Sequence, residues 1–248
     1  KVTAVLAAAA LLAMAVTLGV LYKGVPAEPG AIAAAVTVRD GTVRVTGTLT
    51  DSGRVLSRAH ITQDESGAVE VRINVTPLLF THSGDFTLEH PAAREVTSVS
   101  VNGLILWENG KAIDWTAARL YEAKNPYVGD MSANAHIASL LRIGNRVGSF
   151  TNELQTDAEP YGWTLLLDAP VTAAAETDIR EEMQKCSCVL LATIDNLGTV
   201  TWKYQTETGQ SSYSVTAAEA SRMAGRDIKT CAESAAALQS LLETIGIL

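Results

Sequence analysis

Three short segments crowd aromatic, amide and acidic side chains together: Pro126-Tyr127-Val128-Gly129-Asp130, Glu153-Leu154-Gln155-Thr156 and Glu159-Pro160-Tyr161-Gly162-Trp163. Ring faces with a few convergent amides and carboxylates are what lines a ligand groove. Tyr127, Asp130, Gln155, Tyr161 and Trp163 are therefore the candidate binding residues. The same residues have a structural reading: Gly129-Asp130 can start a helix, and Pro160-Tyr161-Gly162 can turn the chain and pack rings on a sheet. Catalysis would need a nucleophile with a base, a metal set or a phosphate cradle. There is no H-E-x-x-H, G-x-S-x-G, G-x-x-x-x-G-K or G-x-G-x-x-G, and His60, His82, His90 and His136 are scattered. No serine is followed three positions later by lysine, and Lys229-Thr230 runs on to Cys231 rather than glycine, so the pair of motifs that an acylating penicillin-binding site requires is missing. No catalytic residue, metal ligand set or cofactor is assigned.

Charge narrows the partners. The chain of 248 residues has 19 Lys and Arg against 27 Asp and Glu, a net charge of −8. That excess of acid argues against nucleic acid, which selects clustered cations. Hydrophobic residues make up 47%, enough to build real cores. Three cysteines do not make a disulfide framework in a chain this long. Cys186 and Cys188 share a face if they lie on a strand; Cys231 can pair with one of them, or all three are buried thiols.

The elements that position these residues are read from periodicity. Val36 and Val38 face Val43 and Val45 across Asp40-Gly41, and Val99 and Val101 face Leu104 and Leu106 across Asn102-Gly103. Both turns favour the positive φ of a tight hairpin. Val69, Val71, Ile73 and Val75 alternate with polar residues, as in a half-buried strand. This spacing predicts an antiparallel β-sandwich over 35–112. From 113 to 248 the pattern is α+β, with an antiparallel sheet and helices on one face. Ile137, Leu140 and Leu141 mark one helix with Gly144 as its stop, and Thr172 caps another that runs through Met183. Strands are expected at 150–156 and 161–168, and a hairpin joins 188–194 to 200–204 around Asn196-Leu197-Gly198. Thr216 and Glu219 form a capping box, and Leu238, Leu241, Leu242 and Ile245 give the stripe of a last helix ended by Gly246.

Val2 to Leu21 carries no charge and is bracketed by Lys1 and Lys23. As a helix it would reach ~30 Å, the thickness of a bilayer core. The first 23 residues are read as a transmembrane helix, with the membrane as partner of 2–21 and a cleaved signal peptide as the competing reading. Residues 24–34, with Pro26, Pro29 and Gly30, read as a linker. No Lys or Arg follows Lys23 until Arg39, which favours an extracytoplasmic location for the rest.

The runs NPYVGDMSANAHIASLL, TNELQTDAEPYGWTLLLD, VLLATIDNLGTVTWKY and GRDIKTCAESAAALQSLLE resemble an uncharacterised bacterial domain, domain of unknown function 4825, over about Tyr121 to Leu248. In Gram-positive bacteria that domain often follows a BlaR-type membrane metallopeptidase, and KVTAVLAAAALLAMAVTLGVLY looks like the last membrane helix of such a peptidase. The resemblance implies no catalytic role for these residues. It implies a non-catalytic sensor or interaction region outside the membrane, coupled to a peptidase domain upstream in the same chain. A stand-alone anchored surface protein that binds an envelope component is the alternative.

Overall fold

The computed structural model describes residues 14, 16, 19, 23–51, 53–77 and 84–248. The expected transmembrane helix falls almost wholly outside the described residues; of that run only Met14, Val16, Gly19 and Lys23 are described, all four helical. Among the described residues no helix is long and apolar enough to cross a membrane. The chain forms two compact units, Lys1–Trp115 and Thr116–Leu248.

The first unit is built from two sheets. Strands β2 (Ile32–Arg39), β3 (Thr42–Leu49) and β6 (Asp85–Pro91) form the smaller, antiparallel throughout. The larger runs β1 (Val25–Pro26), β5 (Ala68–Pro77), β7 (Ser98–Val101), β8 (Leu104–Glu108) and β9 (Lys111–Ala112), with β4 (Arg54–Gln63) also on β5. Its β5–β7 pair is parallel, so the unit is not the purely antiparallel sandwich that the strand spacing suggested. The residues taken for a linker are also structured: Val25 and Pro26 pair with β5, Pro29–Ala31 make a 3₁₀ turn, and Ala27 is buried. Both expected hairpins form, with positive φ at Asp40 and Gly41 and at Asn102 and Gly103; Asn109-Gly110 makes a third between β8 and β9. Val43, Val45, Val71, Ile73, Val99 and Leu106 are at most 1% exposed, each burial contributing roughly 1.5–3 kcal/mol.

Asn102 serves this unit twice. Besides turning the hairpin, its side-chain amide fills the gap between β1 and β7 along β5. Its Oδ1 accepts from the Ile73 N–H at 2.6 Å, and its Nδ2 donates to the Ala27 and Ile73 carbonyls. The Ile73 N–H and the Ala27 carbonyl are thereby paired, and the Ile73 carbonyl gains a second donor beside the Ala27 N–H.

In the second unit, helices α1 (Trp115–Glu122), α2 (Met131–Leu140) and α3 (Ile143–Arg146) precede a sheet ordered β10 (Phe150–Gln155), β11 (Tyr161–Leu167), β12 (Leu197–Thr206) and β13 (Gly209–Thr216). Helix α4 (Glu176–Thr193) links β11 to β12, and α5 (Ala217–Ala224) and α6 (Ala235–Thr244) follow. Helices α4 and α5 pack on one face of β12 and β13, where Trp202 donates its indole N–H to Ser187 Oγ at 2.9 Å. Thr199, Thr201 and Lys203 on the opposite face of β12 are half-buried, and Ser212, Ser214 and Thr216 of β13 are exposed.

Four expectations are corrected here. Residues 188–193 are not a strand but the C-terminal half of α4, in which every residue from Cys186 to Thr193 is buried. A continuous apolar run has no period with which to tell a buried strand from a buried helix. The helix expected from Thr172 therefore begins at Glu176 and continues past Met183. Because α4 carries the chain back across the sheet, β11 and β12 run parallel, and the sheet is mixed rather than antiparallel. Helix α2 ends not at Gly144 but at Leu141 and Arg142, where Arg142 takes φ 56°; Gly144 lies within α3. The capping box of Thr216 and Glu219 and the leucine stripe of α6 are as expected.

Cys186 and Cys188 sit on this helix, not on a strand, and all three cysteines are buried free thiols. Burial pushes Cys186 and Cys188 from the ordinary 9.0 up to about 12. The native protein is expected to leave a chromogenic disulfide reagent unreacted at pH 8, and denaturant to release three thiols. The folded state holds the Cys186 and Cys188 protons more tightly than the unfolded chain. Their contribution to stability is thus complete below about pH 9 and lost as pH rises toward 12, which urea titration at stepped pH will read.

Candidate recognition loop

The candidate residues fall on two elements. Tyr127 and Asp130 lie on the loop that enters α2; Gln155, Tyr161 and Trp163 lie on the β10–β11 hairpin. Asp130 is the N-cap of α2, accepting from the Ala133 N–H at 3.0 Å. That satisfies one of the open donors of a helix start and is worth about 1 kcal/mol. Trp163 is 1% exposed, and its indole N–H donates to Asn152 Oδ1 at 2.8 Å. Tyr161 is half-buried and follows the cis Glu159-Pro160 bond. Gln155 Oε1 accepts from Thr164 Oγ1 at 3.2 Å, and a Cβ at Gly162 would stand 2.6 Å from the same oxygen. Gln155 thus covers the face of β11 opposite to that on which Trp163 is packed. The five side chains do not line one groove.

Tyr127 differs from the other four. It is 67% exposed on a loop whose backbone is held from beneath. Asn125, 4% exposed, donates through Nδ2 to the Tyr127 carbonyl at 2.8 Å and to Asn134 Oδ1 at 3.0 Å, and its Oδ1 accepts from the Tyr127 N–H at 3.1 Å. Asn134, fully buried, donates to the Val128 carbonyl at 2.6 Å. The Val128 N–H donates to Asn196 Oδ1 at 2.7 Å. The Asn125 backbone also exchanges hydrogen bonds with Thr193 and Asp195. Three asparagines and a buried Val128 therefore fix both sides of Tyr127 and leave its ring outside.

The turn that carries Asn196 is held by a cation. The Lys229 ammonium donates to the carbonyls of Leu191, Ile194 and Leu197 at 2.6, 2.8 and 2.7 Å. These are the last carbonyls of α4 and the first of β12, where a helix end carries partial negative charge. Burial pushes Lys229 down to about 8, and Asp195 and Asp227 draw it back up. At neutral pH it stays charged, and each of its three protons has a carbonyl. Tyr161 pairs with Leu197 in the β11–β12 ladder, so the hairpin and the Tyr127 loop both rest on this one turn.

Sequence reading missed Asn125, Asn134, Asn196 and Lys229 as the supports of the site. The dipeptide Asn125-Pro126 favours a turn, a signal that could have pointed to Asn125. Lys229 has no local signal, because its acceptors lie 32 to 38 residues away.

A family model described as Domain of unknown function (DUF4825) matches residues 120–216, less than half of the chain. The matched segment holds the Tyr127 loop, both candidate elements and the whole sheet, and ends at the last residue of β13. No curated protein and no solved structure matches the chain.

Asn134→Ala leaves buried amide and carbonyl groups unpaired and is expected to cost roughly 1–3 kcal/mol in urea unfolding. Lys229→Met removes the donor from three carbonyls, of which that of Ile194 keeps the Leu197 N–H, and is expected to cost at least as much. Tyr127→Ala should shift stability by no more than about 0.5 kcal/mol, as for an exposed side chain.

Proposed function

We propose that this chain is a non-catalytic, membrane-anchored extracytoplasmic sensor or interaction region, the outer part of a BlaR-like signalling protein, and that Pro126-Tyr127 is its contact with a ligand. The observation that carries the reading is the Tyr127 ring, exposed on a loop whose polar backbone is tied down by buried asparagines. A tyrosine on a backbone held this way has little backbone freedom left to lose on binding and offers both an apolar face and a hydroxyl. Such rings dominate the energetics of protein contacts. The anchor rests on the uncharged run Val2–Leu21, and the BlaR-like placement rests on the resemblance of that run and of the C-terminal half. The family match supplies no activity to this chain.

The location is tested with Ala158→Cys, an exposed position in the 156–160 loop of a protein whose own thiols are buried. A membrane-impermeant maleimide is expected to label it on intact cells. Labelling that appears only after lysis would overturn the extracytoplasmic placement.

A further inference from the structure

Tyr127 is the most exposed large apolar side chain among the described residues, and the charges set around it are nearly all of one sign. Asp130 lies on the same loop, its N–H donating to the Tyr127 carbonyl at 3.0 Å. The Asp195 N–H donates to the Asn125 carbonyl at 3.0 Å, which sets Asp195 in the turn beneath the loop. On the other flank of that turn, a Cβ at Gly198 would stand 2.6 Å from the Cβ of Pro160. The 156–160 loop is therefore seated against the turn, and it carries Asp157 and Glu159. All four acids are exposed, and Asp157 and Glu159 make no ion pair among the described residues. Lys124 is the cation of these segments, and Asp195 already holds it at 3.6 Å. On α4 and β12, by contrast, bases answer acids: Arg180 pairs with Glu176, Lys185 with Glu181 and Lys203 with Glu153.

We propose that this surface takes an arginine-bearing segment of a partner polypeptide, with a guanidinium on the face of Tyr127 and the unpaired carboxylates of Asp157 and Glu159 as its counter-charge. The proposal rests on the reading of Tyr127 as a contact and adds what it contacts. Charge complementarity selects the occupant. The face of an aromatic ring is negative and attracts a cation. An anionic partner would be repelled here, and an uncharged one would strip water from carboxylates and give them nothing in return. Among cations, a guanidinium is planar and weakly hydrated. It can lie on a ring while its in-plane N–H groups donate to carboxylates, whereas the compact ammonium of lysine keeps its water. The chain's net charge of −8 adds attraction at longer range. A second copy of the chain would bring the same acids to the contact.

The test uses the full chain in detergent micelles and fluorescently labelled peptides, read by anisotropy at low salt. The probes are hexa-arginine, hexalysine, hexaglutamate and an uncharged Gly-Ser repeat of the same length. Hexa-arginine is expected to bind most tightly, and hexaglutamate and the Gly-Ser repeat not at all. Tyr127→Ala is expected to weaken hexa-arginine about three- to fivefold, and Tyr127→Phe, which keeps the ring face, by less than about twofold. Asp157→Asn combined with Glu159→Gln is expected to weaken it at least as much as Tyr127→Ala, with the melting temperature kept in every variant. Failure of hexa-arginine to bind, or equal binding of hexalysine, overturns the proposal. Binding of the Gly-Ser repeat that Tyr127→Ala abolishes, or a dimer of the unliganded chain that depends on Tyr127 in light scattering, overturns the cationic partner and leaves Tyr127 a contact. Hexa-arginine binding that Tyr127→Ala leaves unchanged is general attraction to an acidic chain and overturns both.

Discussion

The second unit depends on one ammonium group. Lys229 sits where α4 ends and β12 begins, and its three protons go to the Leu191, Ile194 and Leu197 carbonyls. A helix leaves its last carbonyls without intrahelical partners, and burying them unpaired costs roughly 1–3 kcal/mol each. Here the helix end lies in the core: Leu190, Leu191 and Ile194 are fully buried, so water cannot serve. A cation at that end also meets the negative pole of the helix dipole. Burying the charge is itself unfavourable, which is why the ammonium is pushed down to about 8. The arrangement stands because no proton of Lys229 is left without an acceptor.

Two consequences follow from that fixed turn. The sheet can be mixed, since α4 crosses it and β12 starts at Leu197 opposite Tyr161 of β11, just before a register shift at Gly162. The turn also aims Asn196 at Val128, the first link in the set of amides that supports Tyr127. Polar groups within the core are paired throughout: Trp202 to Ser187, Ser187 to the Met183 carbonyl, Thr193 to the Val189 carbonyl. Satisfied buried networks of this kind select one arrangement of packed elements over others of similar hydrophobicity.

What could be read from the sequence depended on the range of the interaction. Asp40-Gly41 and Asn102-Gly103 were legible because a tight turn is chosen by two adjacent residues. The caps at Thr216 and Glu219 and the stripe of α6 were legible for the same reason. The fate of Cys186–Thr193 was not, since a segment buried on all sides has no polar face to set its period. Tyr127 could be nominated from its type, and Asp130 from its place before an apolar helix. The split between an exposed Tyr127 and a packed Trp163 rests on Asn125, Asn134 and Asn196, whose partners lie up to 68 residues apart. Lys229 is the extreme case: nothing near it in sequence distinguishes it from an exposed lysine.

The atoms that stabilise the second unit are not those that the Tyr127 loop exposes. Exposed ion pairs such as Arg44–Glu89 and Arg72–Glu70 contribute little, because water screens both partners. The energy that holds the second unit lies under the surface, in rings and aliphatic chains around α4 and in amides that never meet solvent. The Tyr127 ring is outside that ledger. Its loop is held at no expense to its own exposure, since every bond that fixes it is made by backbone atoms, by the buried Asn125 and Asn134 or by the half-buried Asn196. A loop built only to connect α1 with α2 has no need of two buried asparagine side chains, each of which must be fully paired to be tolerated. Preorganisation is what such a cost supports: the backbone that carries the ring is already placed, which is what the proposed contact would use, since little backbone ordering entropy would be lost on binding.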